Sequence, residues 1–303
     1  MKKWFAYPYG VWMVIFIIAP ILLVVGYAFT DKTGAFTIGN FETMMRYLPI
    51  FGKSFFIAVI ATFVCLIMGY PLAYIMSRSG ARLQSLYMTL IMLPMWMNFL
   101  LRTYSWVFLL ERNGFFNNLL SSIGLTRLDI INTFLRDIGF IDLLNRTIVP
   151  LFGMQPLEYI PLINNNFAVV LGMVYNFLPF MVLPIYTVLI KLDHKIIEAA
   201  QDLGAPQSIV FRRVIFPLSL PGVISGVTMV FVPAVSTFVI SKMLGGGKEI
   251  LVGDLIELQF MGNAYNPQVG SAVALVMMIL IFVCMAIMNR FDDGSNEEGG
   301  LLL

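Results

Sequence analysis

The chain is 303 residues long, 59% hydrophobic and 12% charged, with a mean hydropathy of +0.86, which excludes a water-soluble domain with an ordinary polar surface. Lys and Arg number 19 against 17 Asp and Glu, a net charge of +2 with no basic run, so nothing in the charge points to nucleic acid. The two cysteines, Cys65 and Cys284, stand inside apolar runs without metal-ligand spacing, and read as small core residues rather than as a disulfide framework or a metal site.

A membrane-spanning helix needs about 20 apolar residues, because the hydrocarbon core is about 30 Å thick and each residue rises about 1.5 Å. Six stretches qualify: 10–29, 54–76, 86–110, 167–190, 222–240 and 270–289. Lipid cannot satisfy an open backbone, so all six are predicted helical, and residues 1–290 read as one all-α polytopic membrane domain. The first stretch follows Lys2 and Lys3 and lacks a small-residue cleavage site, which predicts a retained helix.

Between the second and third stretches, SRSGARLQ sets Arg78 and Arg82 against two spans at once. With both termini cytoplasmic, Lys2, Lys3, Arg78, Arg82, Lys191, Lys195, Arg212, Arg213 and Arg290 lie inside, nine of the 19 basic residues. The raw count is a tie, and the short Arg78/Arg82 loop decides it, because charge close to span ends sets orientation.

The third stretch gathers Pro94, Trp96, Asn98, Arg102, Tyr104 and Trp106; Arg102 is expected to snorkel to the interface. Residues 111–165 form a long outer loop, in which SSIGLTRLDIIN and RDIGFIDLLN resemble each other weakly and suggest short surface helices. The fourth stretch contains Tyr175 and two prolines, Pro179 and Pro184; with Pro94 and Pro233 these are expected to interrupt their spans, which is tolerated at membrane depth beside a cavity.

Residues 191–221 form a cytoplasmic loop. Asp193 can cap HKIIEAAQDL, and Gly204 can end that helix in the left-handed conformation. Pro206 then suits the first turn of a second helix, PQSIVFRRVIF, whose Ile209, Val210, Val214 and Phe216 leave Arg212 and Arg213 to the other side; Pro217 is expected to end it. Such helices are too short to stand alone, so an apolar side must dock on a partner or on the spans. Gly222 and Gly226 form a G-x-x-x-G that permits close helix packing. GGGKE at 245–249 lacks the first glycine and the hydroxyl of a phosphate loop, and His194, the sole histidine, excludes H-E-x-x-H zinc chemistry. ILVGDLIELQF puts Asp254 and Glu257 on one helical face and is expected to dip back toward the bundle, with a solvated face as the plainer reading of the acids. The tail, 291–303, is acidic and Gly-rich and is expected to be flexible.

Glu198-Ala199-Ala200, three residues, Gly204, nine residues, then Val214-x-Phe216-Pro217 resembles the E-A-A loop of membrane subunits from bacterial ATP-binding-cassette (ABC) importers. Val214 and Phe216 replace the usual Ile and Leu. LPMWMNFLLRTYSWVFLL, YNFLPFMVLPIYTVLIKLD and VGDLIELQF narrow the likeness to spermidine/putrescine permeases of the PotB type. The resemblance implies the type I ABC importer permease architecture in a bacterial inner membrane. It also implies a coupling surface at Glu198, Ala199, Ala200, Asp202, Gly204, Arg212 and Pro217.

The implied partners are a cytoplasmic ATP-binding subunit dimer, a second, PotC-like permease subunit and an external polyamine-binding protein. ATP and Mg are then used by the partner ATPase, with no cofactor, metal or catalytic residue on this chain. A polyamine is a polycation suited to carboxylates and aromatic faces, which makes Trp96, Asn98, Tyr104, Trp106, Tyr175, Asp254 and Glu257 the candidate path; interfacial anchoring is the alternative for the aromatics. An importer of another small solute or ion, and a stand-alone secondary transporter, stay open as alternatives; neither mid-membrane coupling charges nor inverted repeats favour the last.

Overall fold

The computed structural model describes residues 7–111, 114–116, 119, 162–262 and 265–300. Most of the expected outer loop, including both similar decamers, lies outside the described residues. Among those described, five helices are long and apolar enough to cross a membrane, and six if one bent pair counts as a single span.

The chain opens with α1 (Tyr9–Ala28), whose Val14–Ile18 turn is π-helical: the Ala19 amide donates to the Val14 carbonyl, five residues back, just ahead of Pro20. A proline ring crowds the carbonyl four residues earlier, and a widened turn relieves it. A turn ordered by Asp31, which accepts from the Thr33 hydroxyl (2.6 Å) and the Thr33 and Ala35 amides, leads to α2 (Gly39–Met45). The second span, α3 (Leu48–Arg78), has 31 residues and is about 46 Å long, more than the hydrocarbon core requires.

The third stretch is interrupted near Pro94, as expected, and is not one straight span. It is two helices, α4 (Ala81–Trp96) and α5 (Phe99–Leu110), bent by 92°. Pro94 ends the ladder of the first, and Asn98 starts the second by accepting the Leu100 amide at 2.8 Å. In contrast, α6 (Asn166–Leu189) runs unbroken through Pro179 and Pro184, against expectation. It is the central helix, and packing on both sides supports it where hydrogen bonds are missing. Asn165 caps it, accepting the Ala168 amide at 2.8 Å.

After α7 (His194–Asp202), α8 (Gln207–Ser236) is continuous, so Pro217 does not end a separate short helix. Its Phe211–Ile215 turn is π-helical, with the Phe216 amide donating to the Phe211 carbonyl, and the widened turn relieves the crowding that Pro217 imposes on the carbonyl four residues earlier. Two short helices, α9 (Val239–Leu244) and α10 (Val252–Met261), precede α11 (Pro267–Gly300). The expected flexible tail thus continues the last helix to Gly300, because elongating a formed helix needs no new nucleus.

Helices α3, α6 and α8 form the core. Approach is closest at the G-x-x-x-G: a methyl on Gly222 would lie 2.9 Å from the Pro184 carbonyl oxygen, and one on Gly226 2.9 Å from Met181 Sδ. Gly69 of α3 seats Met181 in the same way, so three glycines let the backbones meet without a hydrophobic driving force. Helix α1 sits outside this core, packed through Ala28 on Ala272 and Leu275 of α11. Cys65 is buried in the core and Cys284 half-buried.

Candidate coupling surface and translocation path

The segment from Asp193 to Pro217 folds as an elbow. Asp193 caps α7, accepting the Lys195 amide at 3.0 Å. The helix closes in a Schellman motif: the Gly204 amide donates to the Gln201 carbonyl (2.8 Å) and the Ala205 amide to the Ala200 carbonyl (3.2 Å), with Gly204 at φ +79°. A Cβ at Gly204 would meet nothing within 4 Å, so glycine is required there by backbone conformation and not by crowding. Pro206 is extended and starts α8, its carbonyl accepting the Ile209 and Val210 amides.

The elbow has two apolar sides. Ile197, Val210 and Ile215 are buried against the spans, with Ala200, Phe211 and Val214 half-buried beside them. This differs from the expected set, since Ile209 and Phe216 are exposed; for Phe216, which follows it, the π-turn adds a residue and shifts the helical phase. Ile196, Leu203 and Ile209 point outward, Leu203 with 89% of its surface exposed. Glu198, Ala199, Asp202, Gly204, Arg212 and Arg213 are exposed around them. Sequence reasoning placed Ile209 on the docking side but missed Ile196 and Leu203. The i, i+7 spacing of Ile196 and Leu203, with the latter directly before the turn glycine, was the available signal.

At the opposite end the candidate path residues fall into separate places. Trp106 and Tyr175 come together edge to face at 5.3 Å, and Phe116 stacks on Trp106 at 6.4 Å. Trp96 and Tyr104 are exposed, the first at 76%; Asn98 serves as the helix cap. Asp254 is not on a solvated face: it is 6% exposed and its Oδ2 accepts the Leu251 amide at 2.8 Å, capping α10, while Oδ1 has no hydrogen-bond partner. Burial pushes its carboxyl above the usual carboxylate range, and the Leu251 amide works against that. Glu257 pairs with Lys242 of α9 at 2.7 Å.

Arg102 does not snorkel. It is only 8% exposed, against the expectation, and its Nε and Nη1 have no hydrogen-bond partner; Cζ lies 5.9 Å from the Phe99 ring centroid. One face of α5 (Phe99, Arg102, Thr103, Trp106, Val107, Leu110) turns inward, while Leu100, Leu101, Tyr104 and Phe108 face outward, and the helical phase puts Arg102 on the inner side. The arrangement suits docking of a protein on the elbow and passage of a solute past buried polar groups.

The family model described as "binding-protein-dependent transport system inner membrane component" matches residues 66–295. The spermidine/putrescine transport system permease protein PotB of Haemophilus influenzae is 34% identical over 295 residues, 95% of this chain and 92% of the relative. PotB of Escherichia coli is 31% identical over 95% of this chain and 96% of its own. In fold, the chain is similar to a bacterial ABC transporter involved in the import of the acidic polysaccharide alginate, with a TM-score of 0.71, 14% identity and 96% of each chain covered. A helical bundle with an E-A-A elbow, matched along its length in this way, belongs to the inner-membrane permease components of binding-protein-dependent ABC transport systems, in the family of the PotB permeases.

Proposed function

We propose that this chain is the polyamine-conducting membrane subunit of an ABC importer, driven by ATP hydrolysed on a separate subunit. The observation that carries the reading is the elbow: an exposed apolar trio, Ile196, Leu203 and Ile209, on a capped helix and turn whose second arm continues into α8. Three aliphatic side chains held in water by a rigid turn need a partner groove. A groove on one of two cytoplasmic ATP-binding subunits fits, with Glu198, Asp202, Arg212 and Arg213 as its polar rim. Both termini then lie on the cytoplasmic side. ATP and Mg stay with that ATPase, a PotC-like permease completes the path, and an external binding protein delivers the solute.

The names of the relatives support a polyamine as cargo. So does the inner pair of Trp106 and Tyr175, whose faces attract ammonium groups. A second reading, import of another small solute, is favoured by Arg102, a buried cation one turn from Trp106 that would repel a polycation. The test is uptake of radiolabelled spermidine into vesicles holding the complex copurified with this chain. ATP-dependent uptake is expected; ATP-dependent uptake of a different solute alone would establish the second reading, and uptake by this chain without an ATPase would overturn both.

A further inference from the structure

Force entering the elbow through its second arm crosses the Phe211–Ile215 π-turn on its way into α8, and that joint is intrinsically weak. Its hydrogen bonds span five residues instead of four, and Pro217 and Pro221 each remove an amide from the ladder just beyond it. One helix braces it. Tyr70 and Ser219 are both buried, and their side-chain oxygens lie 2.9 Å apart, joining α3 to α8 across 149 positions of sequence. Ser219 Oγ donates its only hydrogen to the Phe216 carbonyl at 2.8 Å, so the Tyr70 hydroxyl is the donor of the pair. The chain from Tyr70 through Ser219 to Phe216 therefore ends on the residue that closes the π-turn.

Rings grip both ends of the same turn. Tyr70 packs on Phe211 (5.8 Å, edge-on) and on Phe216 (5.6 Å), and Tyr74, one turn along α3, packs edge-on against Phe211 at 5.4 Å. On its other side α8 is already fixed to α6 by Gly222 and Gly226. We propose that Tyr70 and Ser219 form a coupling strut: positioning residues whose hydrogen bond makes α3 follow the elbow, so that motion imposed by the ATPase reaches α3, α6 and α8 as one body. The inference rests on the coupling role proposed above.

Two measurements on the full complex in vesicles test it. The first is spermidine taken up per ATP hydrolysed in Tyr70→Phe, Ser219→Ala, the double variant and Ser219→Thr. Each single change is expected to lower the ratio about two- to tenfold, with complex yield and ATPase rate retained. The double is expected to be no worse than Ser219→Ala alone, since that change already removes both hydrogen bonds of the Ser219 hydroxyl, and Ser219→Thr, which keeps the hydroxyl, to stay near the parent. The second needs no solute: spin labels at Ser208→Cys in the elbow and Ile75→Cys on α3, in a Cys284→Ser background. Their separation is expected to hold constant between nucleotide-free and ATP-bound states in the parent and to change with nucleotide in Tyr70→Phe and Ser219→Ala. Constant separation in those variants, or an unchanged uptake ratio, overturns the strut, as does a loss matched by equal loss of complex. Failure of the parent to take up spermidine counts against the cargo alone, and the spin-label result then decides the strut.

Discussion

At Gly204 the cost of substitution is conformational. An L-residue at φ +79° costs about 1–2 kcal/mol, more with a β-branched side chain, and no neighbour crowds the site. Gly204→Val is therefore expected to distort the elbow and lower uptake per ATP about tenfold or more, while Gly204→Asn, which tolerates the left-handed region, retains most of it; both are read in vesicles holding the complex. Leu203, exposed beside that glycine, has the profile of an interface anchor, and Leu203→Asp is expected to cut ATPase copurification by about thirtyfold, as loss of about 2 kcal/mol implies. Arg102 presents the opposite case. A buried guanidinium with two unpartnered nitrogens is destabilising, so Arg102→Gln is expected to raise the thermal midpoint of the detergent-solubilised chain by a few degrees, measured by tryptophan fluorescence. These residues were unequally legible in the sequence: Gly204 announced itself by its place after a run of helix formers, whereas burial of Arg102 depends on which side of α5 meets the bundle.

Among the elements, the elbow and the bent pair show how local signals compete. Asp193, Gly204 and Pro206 acted as their types suggest, and the first arm formed where expected. The second arm did not stop at Pro217, because a π-turn absorbs the proline and the helix runs on into the membrane. Hydropathy cannot distinguish these outcomes, since both arms of the choice have the same composition. The 86–110 stretch was apolar enough to span, yet Asn98 carries a capping oxygen in the middle of it, and the cap together with Pro94 breaks the stretch. Contact between α6 and α8 depends on their small residues. Gly222→Leu would drive its side chain into the Pro184 carbonyl and Val188, and is expected to abolish recovery of folded chain on size exclusion, whereas Gly222→Ala lowers its yield only in part.

For the whole molecule, the tightly packed α3, α6 and α8 contrast with α1, which touches the bundle mainly through α11 and leaves most of its apolar surface uncovered. The proposed orientation is checked by a membrane-impermeant thiol reagent applied to intact cells: Gly247→Cys is expected to label and Ser208→Cys to be protected, each in a Cys284→Ser background. Sequence by itself determined the class, because a chain this apolar can satisfy its backbone in lipid only by forming helices, and it determined the elbow, because capping residues, glycine and proline act over a few neighbouring positions. Tertiary structure alone decided which prolines bend their helices, which faces of the elbow turn inward, and that Trp106 meets Tyr175 while Trp96 and Tyr104 stay apart. Those outcomes are set by packing between segments tens to hundreds of residues apart, and neither composition nor periodicity contains that information.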